Sequence, residues 1–536
     1  MEVLPYVAMN PLVAGLWALL MIPVVFLLSD IYTWFYLPPG PLPIPFIGNV
    51  LSFPKDNFFL TLEEWSHIYG PIYTIWVGRS PRIIISDPAI AVELMSRRGS
   101  RYSSRPRMIV FGELFNNNSS VASLSYGSAW SIRRKVLHHS LKLSILPAYK
   151  PRQEAEALAV VDSIVGNSDN WSKAIDRFAS SVVFSMAYGR RIASLDSKVL
   201  KKRQYLFRYA SDLLKPGAYP VESFPFLLHL PAFLSRWKEP IVKMGRVLAT
   251  FDVGLVDSVK EDLEHSKGTL VTSLTETMLD LKANGDVDTN ALREDHFAAL
   301  PASLFGAGSD TTASTLHSAI LAFVTHPHIQ KAAQAELDLV VDKHRSPTFA
   351  DQPKLPYIDA LVKEILRWRP SSAFGLPHAT SENDVFNGYR FPKGTTIWAP
   401  AWGLNQNPAY FPSPQTFAPQ RYLPESDPRY DAELGAKPFP QGAHVHGTFG
   451  FGRRACAGAD LAMNSIFIAL AKMLWSFDIL PVEGESYDVD SYAGGIILRP
   501  KVFRCEFILR DEERRFVLER EMREAEKVLE LFPPFD

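Results

Sequence analysis

Apolar residues run almost without interruption from Pro11 to Leu28, PLVAGLWALLMIPVVFLL, and nothing charged lies between Glu2 and Asp30. As a helix rising about 1.5 Å per residue, this run is close to the length that crosses a hydrocarbon core of roughly 30 Å. No basic segment precedes it and no small-residue cleavage site stands before Asp30, which favours a retained transmembrane anchor over residues 1–36 instead of a cleaved signal. Trp17, Tyr32, Trp34 and Tyr36 are suited to the interface. Prolines 38, 39, 41, 43 and 45 follow in LPPGPLPIPFIGN; each fixes φ and removes a donor, so residues 37–49 read as a stiff hinge.

Beyond the hinge, GPIYTIWVGRSPRIIISDP alternates short β-branched and aromatic runs with turns, and predicts a small sheet near residues 71–86. From about residue 127 to 380 the periodicity is mainly helical. Two interior segments are apolar enough to imitate membrane spans: Phe297–His326, with Asp310 as its one formal charge, and Ala457–Trp475, with Asp460 and Lys472. Neither offers about 20 consecutive uncharged residues, so both predict buried core helices. Residues 511–536 predict a charged amphipathic helix with Leu518, Met522, Ala525 and Leu529 as its apolar stripe, packed on the domain surface. The fold class is therefore mainly α, with small β-sheets.

Composition narrows the function. Of 536 residues, 47% are apolar and 21% charged, the balance of a folded protein with a sizeable core. A net charge of −1 from 56 basic and 57 acidic residues provides no global field for nucleic acid. Two cysteines, Cys456 and Cys505, make neither a disulfide framework nor a paired zinc motif.

One of those cysteines lies in TFGFGRRACAG, Thr448–Gly458, which has two incompatible readings. Gly450 to Ala455 fits the loose G-x-G-x-x-G/A dinucleotide pattern, but a turn-rich loop precedes it and one long helix follows, where a buried strand and a second strand are needed. In the other reading, Phe449, Gly452, Arg454, Cys456 and Gly458 form F-x-x-G-x-R-x-C-x-G at the mouth of the buried helix. The helix N-terminus stabilises a thiolate, Gly452 and Gly458 permit a tight turn and close approach to a flat cofactor, and Arg454 neutralises a carboxylate of that cofactor. This is the arrangement of a thiolate axial ligand to haem iron.

At these residues the chain resembles the cytochrome P450 family, over roughly residues 37–510. Glu364-Ile365-Leu366-Arg367 is similar to the family's E-x-x-R, 92 residues before the cysteine, and Arg421 in FAPQRY matches the third member of its Glu-Arg-Arg structural network, with Gln420 where an acid is common. AGSDTT, Ala307–Thr312, is similar to the oxygen-activation motif: Gly306 and Gly308 weaken the helix locally, and Asp310 and Thr311 relay protons. Trp130 and Arg134 match W-x-x-x-R, which with His378 in GLPHAT would meet the haem propionates.

The resemblance implies a helical prism with small β-sheets holding haem b (iron protoporphyrin IX) through Cys456. It also implies a monooxygenase that takes one oxygen atom from O2 into a lipophilic small molecule, of the kind made in fungal secondary metabolism. NADPH enters indirectly, through a separate NADPH-cytochrome P450 reductase, for which Arg133, Lys135 and Arg453 would form a basic docking patch. Single-pass insertion in the endoplasmic reticulum membrane, with the catalytic domain towards the cytosol, is the expected location. The alternatives are a haem-thiolate isomerase or dehydratase, against which Asp310 and Thr311 argue, and a non-catalytic haem sensor or carrier, against which the apolar pocket segments argue.

Overall fold

Glu294–Thr325, the longest helix among the described residues, runs through the largest apolar core. The computed structural model describes residues 11–535 apart from 55–56, 195, 216, 266–272 and 494. This central helix is unbroken through Pro301, and its small residues are demanded by its neighbours. A Cβ at Gly308 would sit 2.5 Å from Val183 of the helix Trp171–Tyr188, and one at Gly306 would sit 1.7 Å from the Arg203 guanidinium of the helix Lys198–Leu213. The glycines thus admit side chains that cross the helix and do not open it, which corrects the local weakening expected from the sequence.

The segment that follows the cysteine forms the helix Ala459–Ser476, apolar around almost its whole circumference and correspondingly buried. Its one internal cation, Lys472, is buried and donates to the Ser346 hydroxyl at 2.6 Å. The helix Pro356–Trp368 lies beside it and buries Glu364 and Arg367.

Ten short strands flank the helices among the described residues: β1 Ile72–Val77, β2 Ser80–Ile85, β3 His378–Ala379, β4 Asp384–Phe386, β5 Tyr389–Phe391, β6 Thr396–Trp398, β7 Phe477–Pro481, β8 Tyr492–Ala493, β9 Arg499–Pro500 and β10 Cys505–Leu509. β1 and β2 are the predicted hairpin, paired from Ile72↔Ile85 to Val77↔Ser80; Gly78 takes φ 58° at its turn, a conformation that favours glycine. β6 adds to β2 in parallel and β3 to β6 antiparallel, giving the order β1-β2-β6-β3. That pairing carries His378 into the body of the protein. β4–β5, β7–β10 and β8–β9 are separate two-stranded sheets.

At the N-terminus Pro11–Tyr36 is helical, but among the described residues no helix is long and apolar enough to cross a membrane. The predicted span is thus not shown, and part of it, residues 1–10, lies outside the described residues. Asp30 near the foot of this helix pairs with Arg79 at 2.7 Å, and the Arg79 guanidinium stacks 4.1 Å over Phe26. At the other end, Asp511 caps the helix Glu512–Leu529, whose Val517, Leu518, Ala525 and Leu529 are buried while Met522 packs at the edge. The chain continues past Leu529 as a strap, with Phe532 under Arg152 and Pro534 bridged to Arg191.

Candidate active site

The cysteine loop is shaped by two short 3-10 turns, Gly447–Phe449 and Gly452–Arg454. Cys456 N–H donates to the Phe449 carbonyl at 2.8 Å, closing the loop ahead of the helix. Gly452 has φ 57°, and a Cβ there would lie 2.2 Å from the Met95 carbonyl oxygen, so the residue is fixed by backbone contact with another segment. A Cβ at Gly458 would meet nothing within 4 Å, which leaves that backbone bare. Phe449 is buried with the His444 and His446 rings 5.0 and 5.7 Å away.

The Cys456 side chain is exposed although the loop is packed within the protein. The sulfur is thus open to a small probe yet crowded by protein on its other sides, and that crowding pushes its thiol up from the ordinary value, with the Gly458 N–H and the Arg134 charge acting the other way. A metal cation held by Cys456 would lower it again, because a coordinating thiol is deprotonated by its metal.

Around this loop the structure gathers basic side chains that bond only to backbone. Arg134 donates to the Ala455 carbonyl at 2.7 Å. Arg454 donates to the carbonyls of Ser103, Val121 and Leu124 and lies 4.3 Å over the buried Trp130 ring. Arg105, which the sequence reading missed, donates to Ala122, Leu376 and Pro377. Burial pulls Arg105 down to about 9, with Arg454 adding to the effect, and pulls Arg454 down to about 10, with Arg134 adding to it. None of the three guanidinium groups has a carboxylate partner, so their charges are free to meet an anion. His378 is buried beside them, its ring held far below its usual pKa by burial and by Arg105 and Arg454. Its Nδ1 is 2.7 Å from the Tyr102 carbonyl, so Nδ1–H donates there, and Nε2 becomes a donor only when the ring is charged. The donor set fits a flat, two-carboxylate cofactor whose iron meets Cys456.

Glu364, Arg367 and Arg421 are brought together with their side chains fully buried. Glu364 accepts from Arg367 Nε at 2.7 Å and Nη2 at 2.8 Å, from Arg421 Nε at 3.1 Å, and from Ala418 N–H at 2.8 Å. The two guanidinium groups spend their remaining donors on carbonyls of the segment 405–434, which ties that segment beneath the cysteine loop through Asn405, whose amide donates to Thr448 Oγ1 and accepts from Gly447 N–H.

On the central helix Ala307 is exposed amid buried neighbours, and Thr311, one turn on, donates to the Ala307 carbonyl at 2.7 Å. Asp310 is held away from its ordinary value, raised to about 6 first by burial and then by Asp176, against Arg203, Arg499 and Arg208.

The basic docking patch is corrected. Arg133 is buried and donates to the Ala129 carbonyl at 2.7 Å, also lying 2.7 Å from His296 Nδ1; Lys135 pairs with Asp288 at 2.8 Å. Only Arg453 of the three is exposed without a carboxylate partner, and it bonds the Tyr126 hydroxyl. Helical spacing alone cannot distinguish the outer face of Ser128–Leu141 from the face packed on its neighbours.

Residues 38–507 match the family model described as Cytochrome P450. A cytochrome P450 monooxygenase of Armillaria gallica is 34% identical over 495 residues, covering 91% of this chain and 92% of the relative. Cytochrome P450 monooxygenase 58 of Postia placenta is 32% identical over 478 residues, 88% of each chain. Cytochrome P450 monooxygenase drtD of Aspergillus calidoustus is 32% identical over 507 residues, 93% of this chain and 91% of the relative.

Proposed function

The chain belongs to the cytochrome P450 family and is a haem-thiolate monooxygenase; from that premise we propose that it oxidises a lipophilic small molecule of secondary metabolism. Electrons come from an NADPH-dependent reductase in this reading. When bound, haem supplies the reductive activation of O2. The chain's own residues do the rest. Cys456 would hold the iron, and Arg105, Arg134 and Arg454 would hold the two carboxylates, with His378 beside them adding a donor only once a bound carboxylate has charged its ring. Thr311 fixes a polar group on the exposed stretch of the central helix, and Asp310 holds the proton that the oxygen step consumes. Buried Ile109, Val110, Leu304 and Phe305, with half-buried Phe111 and Leu114, give the surrounding segments an apolar character that excludes water and favours a lipophilic substrate.

The observation that carries the reading is the convergence of buried Arg105 and half-buried Arg134 and Arg454, all bonded to backbone carbonyls and none to a carboxylate, on the loop of one exposed cysteine. The test is the carbon monoxide difference spectrum of the dithionite-reduced protein. A strongly red-shifted Soret band, lost in Cys456→Ser, is expected; haem-saturated wild type lacking that band would sink the assignment.

We also infer that the apolar N-terminal segment anchors the protein in the endoplasmic reticulum membrane with the catalytic domain towards the cytosol. Its uncharged run from Pro11 to Ser29 supports this. Fractionation of the full chain, with alkaline carbonate extraction and protease protection, tests it: release into the carbonate supernatant, or protection of the domain in sealed microsomes, would refute it.

A further inference from the structure

Residues 511–535 lie beyond the family match, which ends at residue 507, yet they reach both helices that carry the site. At one end, Glu521 of the helix Glu512–Leu529 accepts from the Ser346 N–H at 3.1 Å and from the Ser346 hydroxyl. That hydroxyl accepts in turn from Lys472, the cation buried in the cysteine-bearing helix Ala459–Ser476. Arg514 lies 5.1 Å over Trp475, in the last turn of the same cysteine-bearing helix. At the other end, the strap past Leu529 pairs with the chain that leaves the helix Trp171–Tyr188. Arg191 N–H donates to the Pro533 carbonyl at 3.1 Å, and Phe535 N–H donates to the Arg191 carbonyl at 3.0 Å. The Arg191 side chain bonds buried Glu156 at 3.0 Å, and Glu156 also accepts from Arg177 and Ser181 of the helix Trp171–Tyr188.

From the strap an aromatic column leads inwards. The Phe535 ring stands 5.5 Å from Phe184, and Phe184 stands 5.0 Å, edge to face, from Phe305 of the central helix. Phe184 and Phe305 are fully buried, so the contact between them is dry and directional. Beside Phe184, Val183 fills the space that a Cβ at Gly308 would take. The helix Trp171–Tyr188 thus grips the central helix on either side of Ala307, whose carbonyl accepts from Thr311. We propose that residues 511–535 are an in-chain staple between the cysteine-bearing helix and the central helix, with Phe535 as a positioning residue that acts through Phe184 and Phe305 on the stretch Ala307–Thr311. The proposal rests on the reading of that stretch as a wall of the cofactor site, and adds the residues outside the family-matched region that hold the wall in place. A helix merely resting on the surface would need neither Glu521 set against the Ser346–Lys472 bond nor a strap bonded to both backbone groups of Arg191.

Each end of the staple can be altered without touching the site. In the haem-loaded full chain, Phe535→Ala should speed amide hydrogen exchange in residues 303–311 by about tenfold, the scale of one lost aromatic contact and the burial that goes with it, while the helix Pro356–Trp368 keeps its rate. Phe535→Tyr retains the ring and should exchange like wild type. The infrared stretch of carbon monoxide on the reduced protein, which senses the polar groups around it, should shift in Phe535→Ala and stay in place in Phe535→Tyr. Glu521→Gln leaves buried Lys472 short of counter-charge and should speed exchange in residues 466–476 instead. Unchanged exchange in residues 303–311, an equal rise in Pro356–Trp368, which marks a general loss of stability, or an unmoved carbon monoxide stretch overturns Phe535 as a positioning residue. Glu521→Gln without effect on residues 466–476 overturns the staple. The underlying reading fails separately: haem-saturated wild type lacking the red-shifted Soret band removes the cofactor site, whatever the exchange rates show.

Discussion

Replacing Glu364 by Gln tests whether the buried charge, and not only the shape, of the Glu-Arg-Arg cluster holds the cysteine loop in place. The substitution is nearly isosteric, so it creates no cavity and its cost is electrostatic. Glu364 accepts four hydrogen bonds, three of them from guanidinium groups with no exposed surface. Glutamine retains one acceptor oxygen but turns an NH2 towards an arginine N–H, setting donor against donor, and leaves two buried cations without an anion. Breaking a buried ion pair by removing one partner costs about 3–5 kcal/mol, in line with one or two lost charged hydrogen bonds at about 1.5–3 kcal/mol each. Urea unfolding of haem-loaded protein, followed by the thiolate-ligated carbon monoxide band, should therefore show a stability loss of roughly 3–5 kcal/mol. Because Arg367 and Arg421 bond carbonyls of the segment beneath the loop, the band should vanish before the far-ultraviolet helix signal falls. A Gln variant within about 1 kcal/mol of wild type, with the two signals falling together, would refute the reasoning.

The glycines of the cysteine loop should behave differently from one another: Gly452→Ala, at φ 57° and against Met95 O, should lose more than about 2 kcal/mol and most haem incorporation, whereas Gly458→Ala, with nothing in reach, should fold like wild type by thermal melting. Arg105→Leu should speed transfer of haem to excess apomyoglobin by about tenfold, the equivalent of ~1.4 kcal/mol for one lost charge-assisted bond; an unchanged rate would remove Arg105 from the cofactor site. Asp252 supplies a pH prediction. Burial raises its carboxyl to about 7, with Arg203 opposing, so between the ordinary carboxylate range and pH 7 the folded chain binds a proton that the unfolded chain has released. Its contribution to stability therefore falls as pH rises through that window, by at most about 1.4 kcal/mol per unit, and is flat above it. Asp252→Asn should remove that slope in denaturation midpoints measured from pH 5 to 8, and a slope that persists would assign it to another group.

What could be read from the chain beforehand, and what could not, divides along the range of the interaction. The two buried helices, the hairpin at residues 72–85 and the Glu364–Arg367 pair are local: period, turn chemistry and an i,i+3 spacing are properties of neighbouring residues, and the structure contains each of them. The departures come from contacts across a hundred residues or more. Gly306 and Gly308 looked like weak points in a helix because the arginine and valine that need their bare backbone come from other helices. Arg133 looked exposed because the neighbour that meets it, His296, is far away in sequence. Arg105 was passed over for the same reason: nothing beside it in sequence distinguishes it from Arg107, which is exposed and paired with Glu113. The signal is instead its burial without a carboxylate. Asp176 and Arg499 lie 323 positions apart and meet only because β9 returns to the flank of the central helix. The part of the site that binds and orients is thus legible in motifs, while the surroundings that shift Asp310 are written in the packing.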